Sequence, residues 1–178
     1  LNQEDSYIDT LTIEILKASI ETHQPKLVCI SVPFPGNLYS ALKCAAYIRS
    51  SFPAIKVAMG GGFPNTELRD LKDPRVFEFV DYVTLDDGEL PIEIVISNVL
   101  DSSLQNPNHN LYKRTFLLQD GEVYYNNHSF RSDYKQDTFG KHDYSDLPLD
   151  KYIHVIEVAS PLPRLWSDGR WNKLTMAH

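Results

Sequence analysis

Three consecutive glycines, Gly60-Gly61-Gly62, directly follow the strand-like run 55–59. A strand that ends in glycines leaves bare main chain at its carboxyl end, which is where open α/β sheets bind ligands. Ser31 closes an earlier apolar run, 27–30, and would lie beside the glycines if the two strands are parallel neighbours. The pattern predicts a crevice in which the Ser31 hydroxyl donates a hydrogen bond and the glycines give a ligand steric clearance. A purely structural turn is the alternative.

The acidic turn Asp86-Asp87-Gly88-Glu89 follows a third apolar run, 79–85. Its acids predict either contacts with a ligand or only a turn and the cap of the next helix, where the helix dipole favours negative charge. The glycines have neither the Lys-Ser/Thr of a phosphate-binding loop nor the Gly-x-Gly-x-x-Gly spacing, so a nucleotide site is poorly supported. The six histidines and two cysteines show no metal-ligand spacing, and no nucleophile–base arrangement is evident.

The composition restricts the class of protein. Of the 178 residues, 42% are hydrophobic and 23% are charged, which is typical of a soluble globular chain. The net charge of −7 and the lack of a basic stripe argue against a nucleic-acid partner. No apolar run is long enough for a membrane span. Cys29 and Cys44 indicate buried, reduced thiols in a cytoplasmic protein.

Apolar periodicity predicts strands that alternate with helices along residues 1–100. The first helix, over 8–23 with Ser6 as its cap, has its apolar residues on one face, namely Ile8, Leu11, Ile15, Leu16 and Ile20. The run 27–32 predicts a strand covered on both faces. Asn65-Thr66 is expected to cap a short helix, and a longer helix is expected to run from Glu89 to Leu100. This alternation predicts parallel βαβ units with right-handed crossovers.

The predicted fold class is therefore α/β, with three layers and a partial parallel sheet of flavodoxin- or Rossmann-like type that contains about three parallel strands. Residues 1–100 would form the C-terminal part of such a domain. Residues 101–178 would form a β-hairpin, turned at Asp120-Gly121, and an irregular linker.

Residues 26–100 resemble the cobalamin-binding domain of radical S-adenosylmethionine enzymes. Ser31-Val32-Pro33 resembles the family's Ser-x-Leu element, with proline in place of leucine, and the glycines follow after the family's usual interval. The acidic turn matches the family's Gly-Glu-Gly-Glu turn at its glycine and final glutamate. The resemblance implies the following cofactor-binding residues: Ser31, Val32, Pro33, Gly60, Gly61, Gly62, Asp86, Gly88 and Glu89. The family's Asp-x-His-x-x-Gly motif, whose histidine can ligate cobalt, does not occur before Ser31.

Residues 165–178 resemble the approach to the radical domain, where a CxxxCxxC loop holds a [4Fe–4S] cluster. The resemblance implies a fragment of a longer polypeptide, in which a missing radical domain holds the cluster and S-adenosylmethionine. Cobalamin would assist methyl transfer or rearrangement there. Two cysteines cannot supply the ligands of a cluster, so this chain alone is expected to be non-catalytic. The rival hypothesis is a non-catalytic interaction or scaffold domain that kept the fold without binding cobalamin.

The strand over 27–32 is expected to lack one neighbour. In a flavodoxin-like strand order it would lie between 55–59 and a strand that this chain does not contain. A bare apolar edge guarded by a single charge, Lys26, invites pairing. We expect this edge to be covered, either by self-association through 27–32 or by part of 114–158 folded back onto it.

Overall fold

The computed structural model describes residues 5–100 and 111–135, together with residues 138 and 145. The chain divides into two compact units, Leu1–Gln136 and Asp137–His178. Every element described below belongs to the first unit. The expected segment 165–178 lies outside the described residues.

Helices and strands alternate as predicted over the first hundred residues. Their bounds are α1 Tyr7–His23, β1 Leu27–Ser31, α2 Leu38–Ser51, β2 Lys56–Gly60, α3 Gly62–Glu67, β3 Tyr82–Thr84, α4 Glu89–Leu100, β4 Thr115–Gln119 and β5 Glu122–Asn126. Short 3₁₀ turns occupy Pro35–Asn37 and Pro74–Glu78.

The strands form one mixed sheet in the order β1-β2-β3-β4-β5. β1, β2 and β3 are parallel, as predicted, while β4 runs antiparallel to β3 and to β5. The hairpin turns at Asp120 and Gly121, whose φ angles of 52° and 83° suit a tight two-residue connection. Because the hairpin pairs with β3, it continues the sheet of residues 1–100, and the compact unit extends to residue 136 instead of ending at 100.

Helices cover both faces of the sheet. Val57 and Met59 of β2 belong to a hydrophobic cluster that also contains residues of α1 and α2. Ala58, which lies between them, belongs to a second cluster built with Leu90 and Ile94 of α4. Because successive side chains of a strand point to opposite faces, the two clusters lie on opposite sides of β2. The α/β class is thereby confirmed.

Helix α1 begins as predicted but exposes more apolar surface than expected. Ser6 caps it, since the Ser6 Oγ accepts a hydrogen bond from Asp9 N–H at 3.2 Å and the Asp9 carboxylate accepts one from Ser6 N–H at 2.9 Å. Ile20 is buried, whereas Ile8 is 65% and Ile15 63% exposed. The prediction of a single apolar face is wrong. Ile20 lies twelve positions after Ile8, and at 3.6 residues per turn this separation places the two side chains about 120° apart around the helix axis.

Strand β1 is an edge strand that is covered on one face and, on the other, only at Leu27, which packs against the cluster of α4. Val28 and Ile30 pack against the cluster shared with α1 and α2, whereas Cys29 is exposed on the other face. The prediction that 27–32 is covered on both faces is wrong for Cys29 and Ser31, which are exposed, because α4 packs mainly over β2 and β3 through Ala58 and Tyr82 and reaches β1 only at Leu27. β1 pairs with β2 alone among the described strands, as expected of a bare edge. The fold-back alternative is wrong for residues 115–126, which extend the sheet from β3 instead.

Candidate functional site

The carboxyl ends of β1 and β2 meet as the sequence predicted. Ser31 pairs with Gly60 in parallel register. Val32 N–H donates a hydrogen bond to Gly60 O at 2.7 Å, and Phe63 N–H donates one to Val32 O at 2.9 Å. The loop after β1 is therefore bound to the glycine turn by main-chain hydrogen bonds on both sides of Val32, and the two loops form one edge.

Two of the three glycines are needed for this contact between loops. A Cβ on Gly61 would lie 2.9 Å from Ser31 Oγ and 2.9 Å from both N and O of Val32, and the φ of Gly61 is +103°. A Cβ on Gly62 would lie 2.7 Å from Pro33 O. The space that the sequence predicted for a ligand at Gly61 and Gly62 is thus filled by the chain's own loop. The atoms of this loop lie closer to the two glycines than a side chain at either position would allow.

A row of small polar residues crosses the sheet at this edge. Ser31 pairs with Gly60, Thr84 with Thr115, and Thr115 with Asn126. Gly60 and Thr84 are neighbours, because a Cβ on Gly60 would lie 2.7 Å from Thr84 Oγ1. Thr84, Thr115 and Asn126 are all buried. Gly60 and Thr84 lie two positions after Ala58 and Tyr82 on their strands, so the row lies on the same face as these residues, the face that carries α4.

The acidic turn stands at the carboxyl end of β3, but its first acid is already paired. The Asp86 carboxylate forms an ion pair with Arg69 and lies 3.9 Å from Arg114 Nε, and Asp86 N–H donates to Asn65 Oδ1 at 2.6 Å. The hydrogen bond from Arg69 to Asp86 raises the pKa of the Arg69 guanidinium. Asn65 therefore anchors this turn, and the prediction that it caps a helix is wrong, because α3 begins at Gly62.

Gly88 and Glu89 complete the turn at the beginning of α4. Gly88 O accepts a hydrogen bond from Ile92 N–H at 2.9 Å, which starts the helix. Nothing lies within 4 Å of a Cβ built on Gly88, and Glu89 is exposed in the first helical turn. The cap role that the sequence suggested is thus supported at Gly88, and both residues face open space.

Arg114 locks the acidic turn to the hairpin. Its Nη2 donates to Asp87 O at 3.0 Å and pairs with Asp133 at 2.7 Å, while Arg114 O accepts from Leu85 N–H at 2.9 Å. The hydrogen bond from Arg114 lowers the pKa of the Asp133 carboxyl. Sequence reasoning missed Arg114 because no periodicity marks it. Thr84 had a usable signal, since it ends its strand as Ser31 and Gly60 end theirs.

A cavity of about 250 Å³ lies elsewhere, beside α4. Its lining is Ile94, Ser97, Asn98, Leu111, Ser129, Phe130 and Arg131. None of the site residues predicted from the sequence lines it. Within residues 5–100 and 111–135, no group of three or more His, Cys, Asp or Glu side chains could hold a metal ion.

Comparisons with known proteins add no family to this description. No protein-family model matches the chain, and no curated protein matches it. Among the described helices, none is both long and apolar enough to cross a membrane.

Proposed function

We propose that this chain is the accessory, cobalamin-binding-like part of a radical S-adenosylmethionine iron–sulfur enzyme. The observation that supports the proposal is the pairing of Ser31 with Gly60 at the carboxyl edge of parallel strands, where open α/β sheets bind ligands. The [4Fe–4S] cluster and S-adenosylmethionine would be held by a radical domain of the same polypeptide. Bound cobalamin would supply the cobalt centre for methyl transfer or rearrangement, and this chain would bind and orient it.

The residues at the edge fit the polar tail of such a cofactor. Ser31 is exposed and offers a hydroxyl, Gly60 beside it carries no side chain, and the exposed face of β1 continues as far as Cys29. A tail laid along this face would begin at Ser31 and cross Cys29, about 7 Å away along the strand. Gly61 and Gly62 support the site indirectly, since they position the loop that carries Ser31, Val32 and Pro33.

The two cysteines allow the location of the cofactor to be tested. Cys29 is exposed on the α4 face of β1, whereas Cys44 lies on α2, on the opposite face. Desolvation raises the pKa of both thiols, so labelling with iodoacetamide is best done at a pH of about 8 or above. We expect cyanocobalamin to slow the alkylation of Cys29 at least fivefold and to leave that of Cys44 unchanged, as measured by mass spectrometry of peptides.

Single-cysteine variants sharpen this test. Cys44→Ser should retain the protection of Cys29. Cys29→Ser should still bind cyanocobalamin, because the Cys29 thiol is not proposed as a ligand of cobalt. Binding is read from corrin absorbance that stays with the protein after desalting. No retained absorbance in the unmodified chain, or equal protection of Cys29 and Cys44, would refute a cofactor site at the β1 edge.

An interaction domain is the second candidate, and the unpaired edge of β1 favours it. Lys26 O accepts from Lys56 N–H, and Val32 N–H donates to Gly60 O, so the even-numbered residues bond to β2. The N–H and C=O groups of Leu27, Cys29 and Ser31 therefore point to the free edge. In this reading a second copy of the chain would pair antiparallel with β1, with Cys29 opposite Cys29 and Leu27 opposite Ser31.

The pairing can be tested by cross-linking. Opposed residues of such a pair have Cα atoms about 5.5 Å apart, which a disulfide can span. We expect diamide to produce a covalent dimer that Cys29→Ser abolishes and Cys44→Ser does not. Cys29→Lys should leave the chain folded and monomeric in analytical ultracentrifugation, because a charge on an edge strand opposes pairing. A monomer at every concentration of the unmodified chain would contradict this second candidate.

A further inference from the structure

The cavity beside α4 contains an amide that the fold does not use. The cavity has a volume of about 250 Å³, and Asn98 lies in its wall. The Asn98 Nδ2 atom is buried and has no hydrogen-bond partner in the part of the chain that the structure describes. Buried polar groups normally have one, since leaving such a group unpaired costs free energy. Arg114 Nε is also buried without a partner, but it at least lies 3.9 Å from the Asp86 carboxylate.

The same cavity has a cation with donors to spare. Arg131 lines it, and Arg131 Nη2 donates to Glu93 Oε1 at 2.7 Å and to the Tyr134 hydroxyl at 3.4 Å. These contacts use Nη2, which leaves Nε and Nη1 to donate to a ligand. Lys113 Nζ lies 3.2 Å from Arg131 O, so two cations outweigh the single charge of Glu93. No carboxylate is among the described residues that line the cavity. The cavity therefore favours a ligand that accepts hydrogen bonds and carries negative charge.

The rest of the wall is largely apolar. Ile94 and Leu111 line the cavity together with Phe130, whose side chain is 95% exposed. Phenylalanine rings pack favourably against other rings, and an exposed ring leaves this contact open. A cavity of about 150 Å³ is enough for benzene. The larger cavity beside α4 therefore accommodates one ring with a short acidic side chain.

We infer that the cavity beside α4 binds a small carboxylate with an aromatic body. The carboxylate would accept hydrogen bonds from Arg131 and Asn98, and the ring would pack against Ile94, Leu111 and Phe130. No hydrogen bond of Nδ2 holds the Asn98 amide in its present orientation. The terminal torsion of asparagine has a broad preference, so the amide can turn its nitrogen toward the ligand. The inference does not rest on the proposed function, because none of these residues belongs to the cofactor site.

Titration of the isotope-labelled chain with phenylacetate, followed by NMR, tests the site. We expect a saturable shift of the Asn98 side-chain amide signals, with a dissociation constant of about 1 mM or lower, which ligands of this size can reach. Asn98→Leu identifies these signals by removing them. Phenylacetamide keeps the ring but lacks the charge, and it should bind about fivefold more weakly or less tightly still. No saturable shift, or shifts that leave the Asn98 amide unchanged, would overturn the inference.

Variants of the two donors give a second measurement of the same site. Asn98→Leu should raise the dissociation constant of phenylacetate about fivefold, as for one lost hydrogen bond, and Asn98→Asp should abolish binding, because two carboxylates repel each other. Arg131→Gln should raise the constant about tenfold. Arg75→Gln is the matched control, since Arg75 pairs with Asp73 at the surface and does not line the cavity, and it should leave the affinity unchanged.

Thermal unfolding separates binding from folding. Asn98→Leu should unfold at the same temperature as the unmodified chain or higher, because it replaces an unpaired buried amide by an apolar group of similar size. Arg131→Gln removes an ion pair between partly exposed side chains and should change stability little. Unchanged affinity in either Asn98→Leu or Arg131→Gln overturns the inference, and so does an equal loss of affinity in Arg131→Gln and Arg75→Gln.

Discussion

Gly61→Ala is expected to destabilise the protein by about 3 kcal/mol or more, as measured by urea denaturation. Gly61 has φ 103° and ψ −170°, a region that is essentially restricted to glycine. Its new Cβ would also lie 2.9 Å from N and O of Val32, which are main-chain atoms held by hydrogen bonds to Gly60 and Phe63. Neither the strained backbone conformation nor the contact with the main chain of Val32 can be relieved by moving a side chain. A second substitution at Ser31 should therefore not restore the stability of the variant.

Gly60→Ala is the matched control, because its obstacle is a side chain. Its Cβ would lie 2.7 Å from Thr84 Oγ1 and 3.5 Å from Thr84 O, and the φ of Gly60 lies outside the positive range. We expect Gly60→Ala to destabilise the chain less than Gly61→Ala does, and Thr84→Ala to recover most of that loss in the double variant. Rescue of Gly61→Ala by Ser31→Ala, or no rescue of Gly60→Ala by Thr84→Ala, would show that the two glycines have been assigned the wrong neighbours.

The sequence predicted the parallel strands because their signals are local. An apolar run such as 27–30 and the turn pair Asp120-Gly121 determine a strand and a hairpin through the conformational preferences of a few neighbouring residues. The pairing of Ser31 with Gly60 then followed from parallel neighbours whose carboxyl ends share an edge. The acidic turn was also placed at the correct strand end, since it directly follows 79–85.

The predictions from sequence were wrong where contacts between residues that are distant in the chain determine the structure. The glycines were correctly marked as points of close approach, but the atoms that approach belong to Val32 and Pro33, about thirty residues earlier in the chain. Arg114 reaches Asp87 and Asp133 through tertiary structure alone. The apolar side chain of Ile15 signalled a helix, yet periodicity could not show whether another surface would cover it.

The second large effect on stability is expected at Asp81, whose contacts join segments that are distant in the chain. Its carboxylate joins β2 to β3: Oδ2 accepts from Val57 N–H at 2.9 Å, and Oδ1 accepts from Lys56 Nζ at 2.9 Å and from Arg49 Nη1 at 3.2 Å. The Asp81 side chain is only 12% exposed. Asp81 N–H in turn donates to Val57 O at 2.8 Å, so the two residues bond in both directions. This contact positions β3, and with it Thr84, beside Gly60.

Asp81→Ala is expected to lower the free energy of unfolding by about 2–3 kcal/mol, because it leaves Val57 N–H without its acceptor and removes the carboxylate that pairs with Lys56 and with Arg49, which keeps only its bonds to Phe77 O and Glu78 O. Asp81→Asn should lower the free energy of unfolding less than Asp81→Ala does, since an amide oxygen can still accept a hydrogen bond from Val57 N–H. Asp73→Ala is the control, for among the described residues Asp73 bonds only to Arg75, in a surface ion pair and as the N-cap of the turn Pro74–Glu78, and should cost about 1 kcal/mol or less. Urea denaturation measures all three. Equal losses of stability in Asp81→Ala and Asp73→Ala would contradict this prediction. Asp81 is expected to stabilise the protein through its position between two strands and not through its ion pairs alone.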